Sequence, residues 1–323
     1  MKFTKLLAVV LIAALTSLSA SAQGWPAKPV TIVVPFPVGG AIDMLGRAVA
    51  AQLQRDLGQP FVVENRPGAT GTIGFNYVKR APADGYTLVV GPPAPFSVVP
   101  HLYKNGLMFD PAKDFDLLTV AVQVPNVLVV PGNSPFSSVA ELIAYAKKNP
   151  EKLTFANSGT GASDHLSAAL FLRQTDTTGL HVPYKGGAPA ITDLLGGQVD
   201  ASFQNVNAVL SHIHSGKLRA LGLTGDKRSA VLPNVPTMAE AGVPGMAVYS
   251  WQGVAAPKGL APAVKQKIYD SLIAALRSPR FKEQFAALGV EVVASTPEQF
   301  VELQRTESER WKQVIETGGI KVE

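Results

Sequence analysis

Runs of four or five β-branched and aromatic residues alternate with amphipathic stretches along the whole chain, the pattern of an α/β protein with largely parallel sheets. Strands are predicted at Val30 to Val34, Phe61 to Glu64, Thr87 to Val90, Val127 to Val130, Leu153 to Ala156 and Val199 to Phe203. Between them, Ile42, Leu45, Val49 and Leu53 recur at helical spacing before Gly58 and Pro60. Val139, Leu142, Ile143 and Ala146 do the same before Asn149-Pro150. A further helix is expected from Pro189, with Ile191, Leu194 and Leu195 on one face and Gly196-Gly197 at its end. From Pro262 onward the pattern is mostly helical, with Ile268, Leu272, Leu276, Phe300, Leu303, Trp311 and Ile315 facing inward.

The start of the chain breaks this alternation. Lys2 and Lys5 precede an apolar run from Leu6 to Leu18, and Ala20-Ser21-Ala22 follows with small residues at −3 and −1 of a cleavage site. The run is too short for the roughly 20 residues that span a bilayer, so residues 1–22 read as an export signal cleaved near Ala22. The chain has no cysteine, so an exported form folds without disulfides, which suits a bacterial periplasm. Of the formal charge of +5, Lys2 and Lys5 supply two, leaving +3 after cleavage. Lysine and arginine are scattered without basic runs, so no nucleic-acid or membrane-surface partner is expected.

Pro-rich and Gly-rich punctuation near Gln123 to Asn126 and Ser250 to Pro257 marks two places where the chain would cross between lobes. This gives a discontinuous first lobe, 23–125 plus 251–323, and a second lobe, 126–250.

Four loops carry the candidate chemistry. Two strands run into Gly-rich turns that open helices: Pro35 to Asp43, with Val38, Gly39, Gly40, Ala41 and Asp43, and Asn157 to Ser163, with Ser158, Thr160 and Gly161. A helix start offers unpaired N–H groups and partial positive charge, so such a turn either holds an oxyanion or is only a tight turn capped by Ser163 or Asp164. Neither is a nucleotide fingerprint, since Gly159-Thr160-Gly161 lacks a third glycine and no P-loop lysine follows. The other two loops are Asn65 to Gly74, with Ala69, Thr70 and Thr72, and Tyr184 to Pro189, where Tyr184 offers a wall and a hydroxyl.

No catalytic residue, metal set or cofactor is expected. His212 and His214 are spaced i, i+2 and fall on different sides of a helix, Gly-x-Ser-x-Gly is absent, and His165 is expected to pack at a helix start. The alternatives are a secreted hydrolase or lyase with Asp43 or Asp164 as base, and a ligand-presenting component of a sensor.

The loops and their surroundings resemble the tripartite tricarboxylate transporter substrate-binding proteins, also called Bug proteins. The resemblance covers Trp25-Pro26, Lys28-Pro29, Pro35 to Asp43, Val63 to Ala69, Asp84 to Leu88, Asn157 to Leu166, Tyr184-Lys185-Gly186, Asp193 to Asp200, Ser215 to Leu221 and Pro233 to Thr237. It implies a two-lobed type II periplasmic binding-protein fold, each lobe a mainly parallel sheet flanked by helices. In such a fold a monomer closes on a small carboxylate and delivers it to membrane transporter subunits. It further implies that backbone amides and small hydroxyls of Val38 to Asp43 and Ser158 to Ser163 hold one carboxylate, often through water. The same likeness gives pocket positions at Ala69 to Ile73 and around Phe203 to Asn207, with Asn205 at the ligand's far end. The sequence departs from the family pattern at Val38, Ala169, Pro92 to Phe96 and, above all, Asp164, where a serine is common.

Overall fold

The protein is described by a computed structural model covering residues 24–103 and 107–318. The predicted export signal lies outside these residues.

The elements in chain order are β1 (Val30–Val34), α1 (Ala41–Leu57), β2 (Phe61–Asn65), a 3-10 turn (Ala69–Gly71), α2 (Thr72–Lys79), β3 (Thr87–Gly91), a π-helical turn (Ala94–Val98) and α3 (Val99–Leu102). They continue with β4 (Phe115–Pro131), α4 (Val139–Lys148), β5 (Thr154–Asn157), α5 (Ser163–Gln174), β6 (Leu180–Pro183), α6 (Gly187–Leu195), β7 (Ala201–Asn205) and α7 (Val206–His214). The last are β8 (Leu218–Leu223), β9 (Tyr249–Pro257), α8 (Pro262–Arg277), α9 (Pro279–Ala286), β10 (Glu291–Val292) and α10 (Pro297–Gly318).

The βαβ steps pair as their patterns require: β1 lies between β2 and β3, and β5 between β6 and β7, all parallel. Buried on both faces, inner strands of this kind are almost wholly apolar, as Val30, Ile32, Val33 and Val34 are. Helix α1 ends at Gly58, which takes the left-handed φ of 70° that closes a helix cheaply only at glycine.

The sheets are nevertheless mixed. Strands β4 and β9 run antiparallel to their neighbours, because the chain crosses from one group of strands to the other along strands, with no crossover helix to reverse it. β4 is much longer than the predicted Val127 to Val130. Through Pro125 it pairs with β9, and from Asn126 onward it pairs with β7 and β8.

Two aromatic groups mark the packing. Phe75, Phe96, Phe109, Phe115, Trp251 and Phe300 form one, and Phe155, Phe171 and Phe203 another. Helix α10 reaches both cores, Phe300 joining the first and Trp311, Val314 and Ile315 packing into the second. No described helix is long and apolar enough to cross a membrane.

Candidate functional site

The turn after β1 is held from within. Gly39 adopts φ 88°, a conformation strained for residues with a Cβ, and its N–H donates to Asp43 Oδ2 at 2.9 Å. Arg47, one turn along α1, donates to the same oxygen at 2.9 Å. Asn65, at the end of β2, donates to Asp43 Oδ1 at 2.9 Å and to the Phe36 carbonyl at 3.1 Å, and accepts from Arg47 at 3.1 Å. Burial pushes the Asp43 carboxyl up, but the hydrogen bonds from Arg47, Gly39 and Asn65 outweigh it and hold it below the ordinary carboxylate value. With Asp43 turned into this network, the N-cap position of α1 is Gly40, which has no side chain to cap the helix. The amides of Ala41 and Ile42 therefore have no acceptor within the helix. Val38, at the tip, is 69% exposed.

The Asn65 to Gly74 loop packs beside it: a Cβ on Gly71 would stand 3.2 Å from the Phe36 ring. Gly68, Ala69, Thr70 and Gly71 have φ of 129°, 45°, 52° and 90°, four left-handed residues in succession. For Ala69 and the β-branched Thr70 this costs on the order of 1–3 kcal/mol each, a strain kept where the surroundings dictate the backbone. Thr72 opens α2 next to the half-exposed Ile73.

The turn after β5 is built similarly, but its acidic residue, as buried as Asp43, pairs with no cation among the described residues. Asp164 is buried, and its Oδ2 accepts from the Ser158 N–H at 2.7 Å and from the Ser158 hydroxyl at 2.5 Å. Gln204 adds a longer contact at 3.4 Å, and Asp164 Oδ1 accepts from the His165 amide at 2.8 Å. Burial pushes the Asp164 carboxyl up to about 6 against these donors. The Gly161 N–H donates to His165 Nδ1 at 3.1 Å, and the Gly159 N–H to Asn157 Oδ1 at 3.0 Å. His165 is buried at the start of α5, its ring 4.6 Å from that of His181; burial, aided by His181, pulls it down to about 4. The side chains of Thr160 and Ser163 stay half-buried at the turn's surface.

The π-helical turn Ala94–Val98 joins these pieces. It packs against the Ala69–Gly71 turn, and a Cβ on Gly161 would meet Val98 at 3.3 Å and Leu102 at 2.6 Å. Pro93, Val98, Gly161, Ser163, Tyr249, Glu307 and Trp311 all line one cavity of about 10 Å³, room for a single water. The Asn65 to Gly74 loop and the turn after β5 thus meet at this segment, and the turn after β1 packs against the former. A larger cavity of about 310 Å³, walled by Asp116, Lys258, Lys265 and Glu298, touches none of them. Its buried carboxylate, Asp116, is satisfied by the Gly259 and Leu260 amides and by Lys265.

The remaining predicted residues fall in different places. Tyr184 is half-buried, with its hydroxyl committed to Asp193 at 2.7 Å. Asn205 ends β7, opposite Asn126 where β4 changes partners, and lies 3.4 Å from Ser250. Phe203 is fully buried between Phe155 and Phe171, so it supports the site from beneath and offers a ligand no surface. Sequence reasoning passed over Arg47 and Gln204 as site residues. Arg47 was visible as the i+4 partner of Asp43, whereas nothing local marks Gln204. Among the described residues no group of histidine, aspartate and glutamate is placed to hold a metal ion.

Residues 45–320 match the model of the tripartite tricarboxylate transporter family receptor. The chain is 39% identical over 326 residues to Protein BugT of Bordetella pertussis, covering all of both chains. Among solved structures, it superposes on the R. palustris protein Rpa4515 with adipate at a TM-score of 0.86 with 38% identity, covering 92% of this chain and 99% of that one. The periplasmic binding protein BugD matches at 0.83 and 38% over the same shares. With this sequence likeness and the shared α/β architecture, the chain belongs to the tripartite tricarboxylate transporter receptor family, with the fold of its periplasmic binding proteins.

Proposed function

We propose that this protein is a periplasmic receptor that captures a small carboxylate between two lobes and delivers it to a membrane transporter. The observation that carries this is the uncapped start of α1, with its free amides set behind Gly39-Gly40 and braced by Asp43, Arg47 and Asn65. A braced set of amides with positive potential receives an oxyanion without reorganising. The bound adipate of a relative 38% identical supports a carboxylate as the ligand.

Residues 23–125 and 251–323 form the first lobe in this reading and 126–250 the second, which the change of β4 partners between Pro125 and Asn126 supports. Mature protein begins after cleavage near Ala22 and acts as a monomer. Ligand touching both lobes favours their closed arrangement. Neither Asp43 nor Asp164 offers a free base, since both are engaged within their own turns, so the hydrolase and lyase alternatives draw no support.

A thermal-shift screen of carboxylic acids, followed by calorimetry and recovery of the ligand, tests the proposal. Saturable binding with the ligand returned unchanged is expected; turnover, or no binding across mono-, di- and tricarboxylates, refutes it.

A further inference from the structure

The two Gly-rich turns both open helices that lack a side-chain cap, but their acidic residues are paired differently. In the first, the acidic residue of the helix's first turn, Asp43, engages the Gly39 amide and the Arg47 guanidinium, which offsets its charge, and the amides of Ala41 and Ile42 stay uncapped. In the second, Asp164 takes both the amide and the hydroxyl of Ser158, two of the donors this turn would otherwise offer a ligand carboxylate. Its other oxygen holds the His165 amide, while His165 Nδ1 takes Gly161 and Asn157 takes Gly159. The turn already contains one carboxylate, supplied by the chain itself.

We propose that Asp164 is a specificity-determining residue. By filling the Ser158 turn with an internal carboxylate, it makes this receptor select acids with one anionic end and an uncharged or N–H-bearing far end, and reject dicarboxylates. This rests on the receptor reading above.

Two effects act together. A second carboxylate arriving at this turn finds the Ser158 amide and hydroxyl already taken, and it meets a like charge that, unlike that of Asp43, no cation among the described residues offsets and only a low-dielectric interior screens. Juxtaposed like charges are among the strongest means of rejecting a wrong ligand. What the turn still presents is the pair of hydroxyls of Thr160 and Ser163, with the Asn205 amide near the change of lobes. Hydroxyls and amides both donate and accept, so they match an amide, hydroxyl or ammonium group as well as water does. The Asp164 carboxyl pushed up to about 6 is still mostly ionised at neutral pH, so the charge is present where the receptor works.

The test is calorimetry on the full mature chain with pairs of ligands of equal length, each linear dicarboxylate from succinate to suberate against its monoamide and its ω-amino acid. The wild type is expected to bind the singly anionic member of the best-fitting pair at least about tenfold more tightly, the ratio that a 1.4 kcal/mol preference gives. Asp164→Ser and Asp164→Asn should each shift the ratio at least about tenfold toward the dicarboxylate. The proposal is overturned if the wild type binds the dicarboxylate as tightly as its monoamide. It is equally overturned if folded Asp164→Ser and Asp164→Asn both keep the wild-type ratio; should neither fold, the wild-type comparison decides alone. Failure of every acid in the panel to bind would instead remove the receptor reading, and this inference with it.

Discussion

Asp164 and His165 are adjacent, both buried, and displaced in opposite senses, which gives a prediction about stability and pH. The folded protein holds the Asp164 proton more tightly than the unfolded chain does, the carboxyl being pushed from 3.8 to about 6. Its contribution is therefore most favourable at low pH and declines as pH rises toward 6, by about 3 kcal/mol in all at about 1.36 kcal/mol per pH unit. His165 is pulled from 6.5 to about 4, so the folded protein resists its protonation. That contribution is intact above pH 6.5 and is lost as pH falls toward 4, by about 3 kcal/mol. Between pH 7 and 4.5, acidification gains about 2 kcal/mol at Asp164 and loses about 2 kcal/mol at His165, so the two nearly offset each other. Asp164→Asn removes the first and leaves the second. Urea unfolding followed by circular dichroism at half-unit steps from pH 7.5 to 4.5 should show the variant losing about 2 kcal/mol more than the wild type over that range. Other carboxylates, such as Asp43 and Asp116, titrate in both proteins and cancel in the difference. A wild-type-to-variant difference constant to within about 0.5 kcal/mol across the range would mean that Asp164 is not held as the structure has it.

Other outcomes are expected at the same site and its supports. Gly40→Leu should fold normally, because a Cβ there meets only the Pro37 carbonyl at 3.8 Å, yet lose ligand binding by more than about a hundredfold in calorimetry as the side chain covers the α1 amides. Gly161→Leu should instead lose stability in urea melts, by about 2–4 kcal/mol, since its φ is 82° and Leu102 stands 2.6 Å from the new Cβ. Asn65→Ala should weaken binding severalfold in the same calorimetric titration while the far-ultraviolet spectrum is unchanged, because it frees Asp43 and Phe36 and loosens the first turn. Phe203→Ala should cost about 3–5 kcal/mol in urea unfolding by opening a cavity between Phe155 and Phe171, whereas His212→Ala on α7 should leave binding within twofold.

Periodicity alone located β1, α1, α4 and the helix before Gly196, and the Gly-rich turns marked the loops proposed to hold the ligand. These features are local: a strand's alternation, a helix's apolar stripe and a left-handed glycine are written within a few residues of one another. The resemblance in these loops was likewise enough to identify the family. What the chain could not reveal by itself depends on residues far apart in sequence. The length of β4 and its change of partners at Asn126 rest on strands that arrive some 80 and 120 residues later. The role of the Ala94–Val98 turn as the joint between the Ala69–Gly71 turn and Gly161, and of Gln204 beside Asp164, is visible only after folding. Most of all, the sequence shows that Asp164 is present, but only tertiary structure decides that it turns inward and consumes the donors of Ser158. A carboxylate's partners are set by which backbone amides come within about 3 Å, and that is fixed by packing across the whole fold.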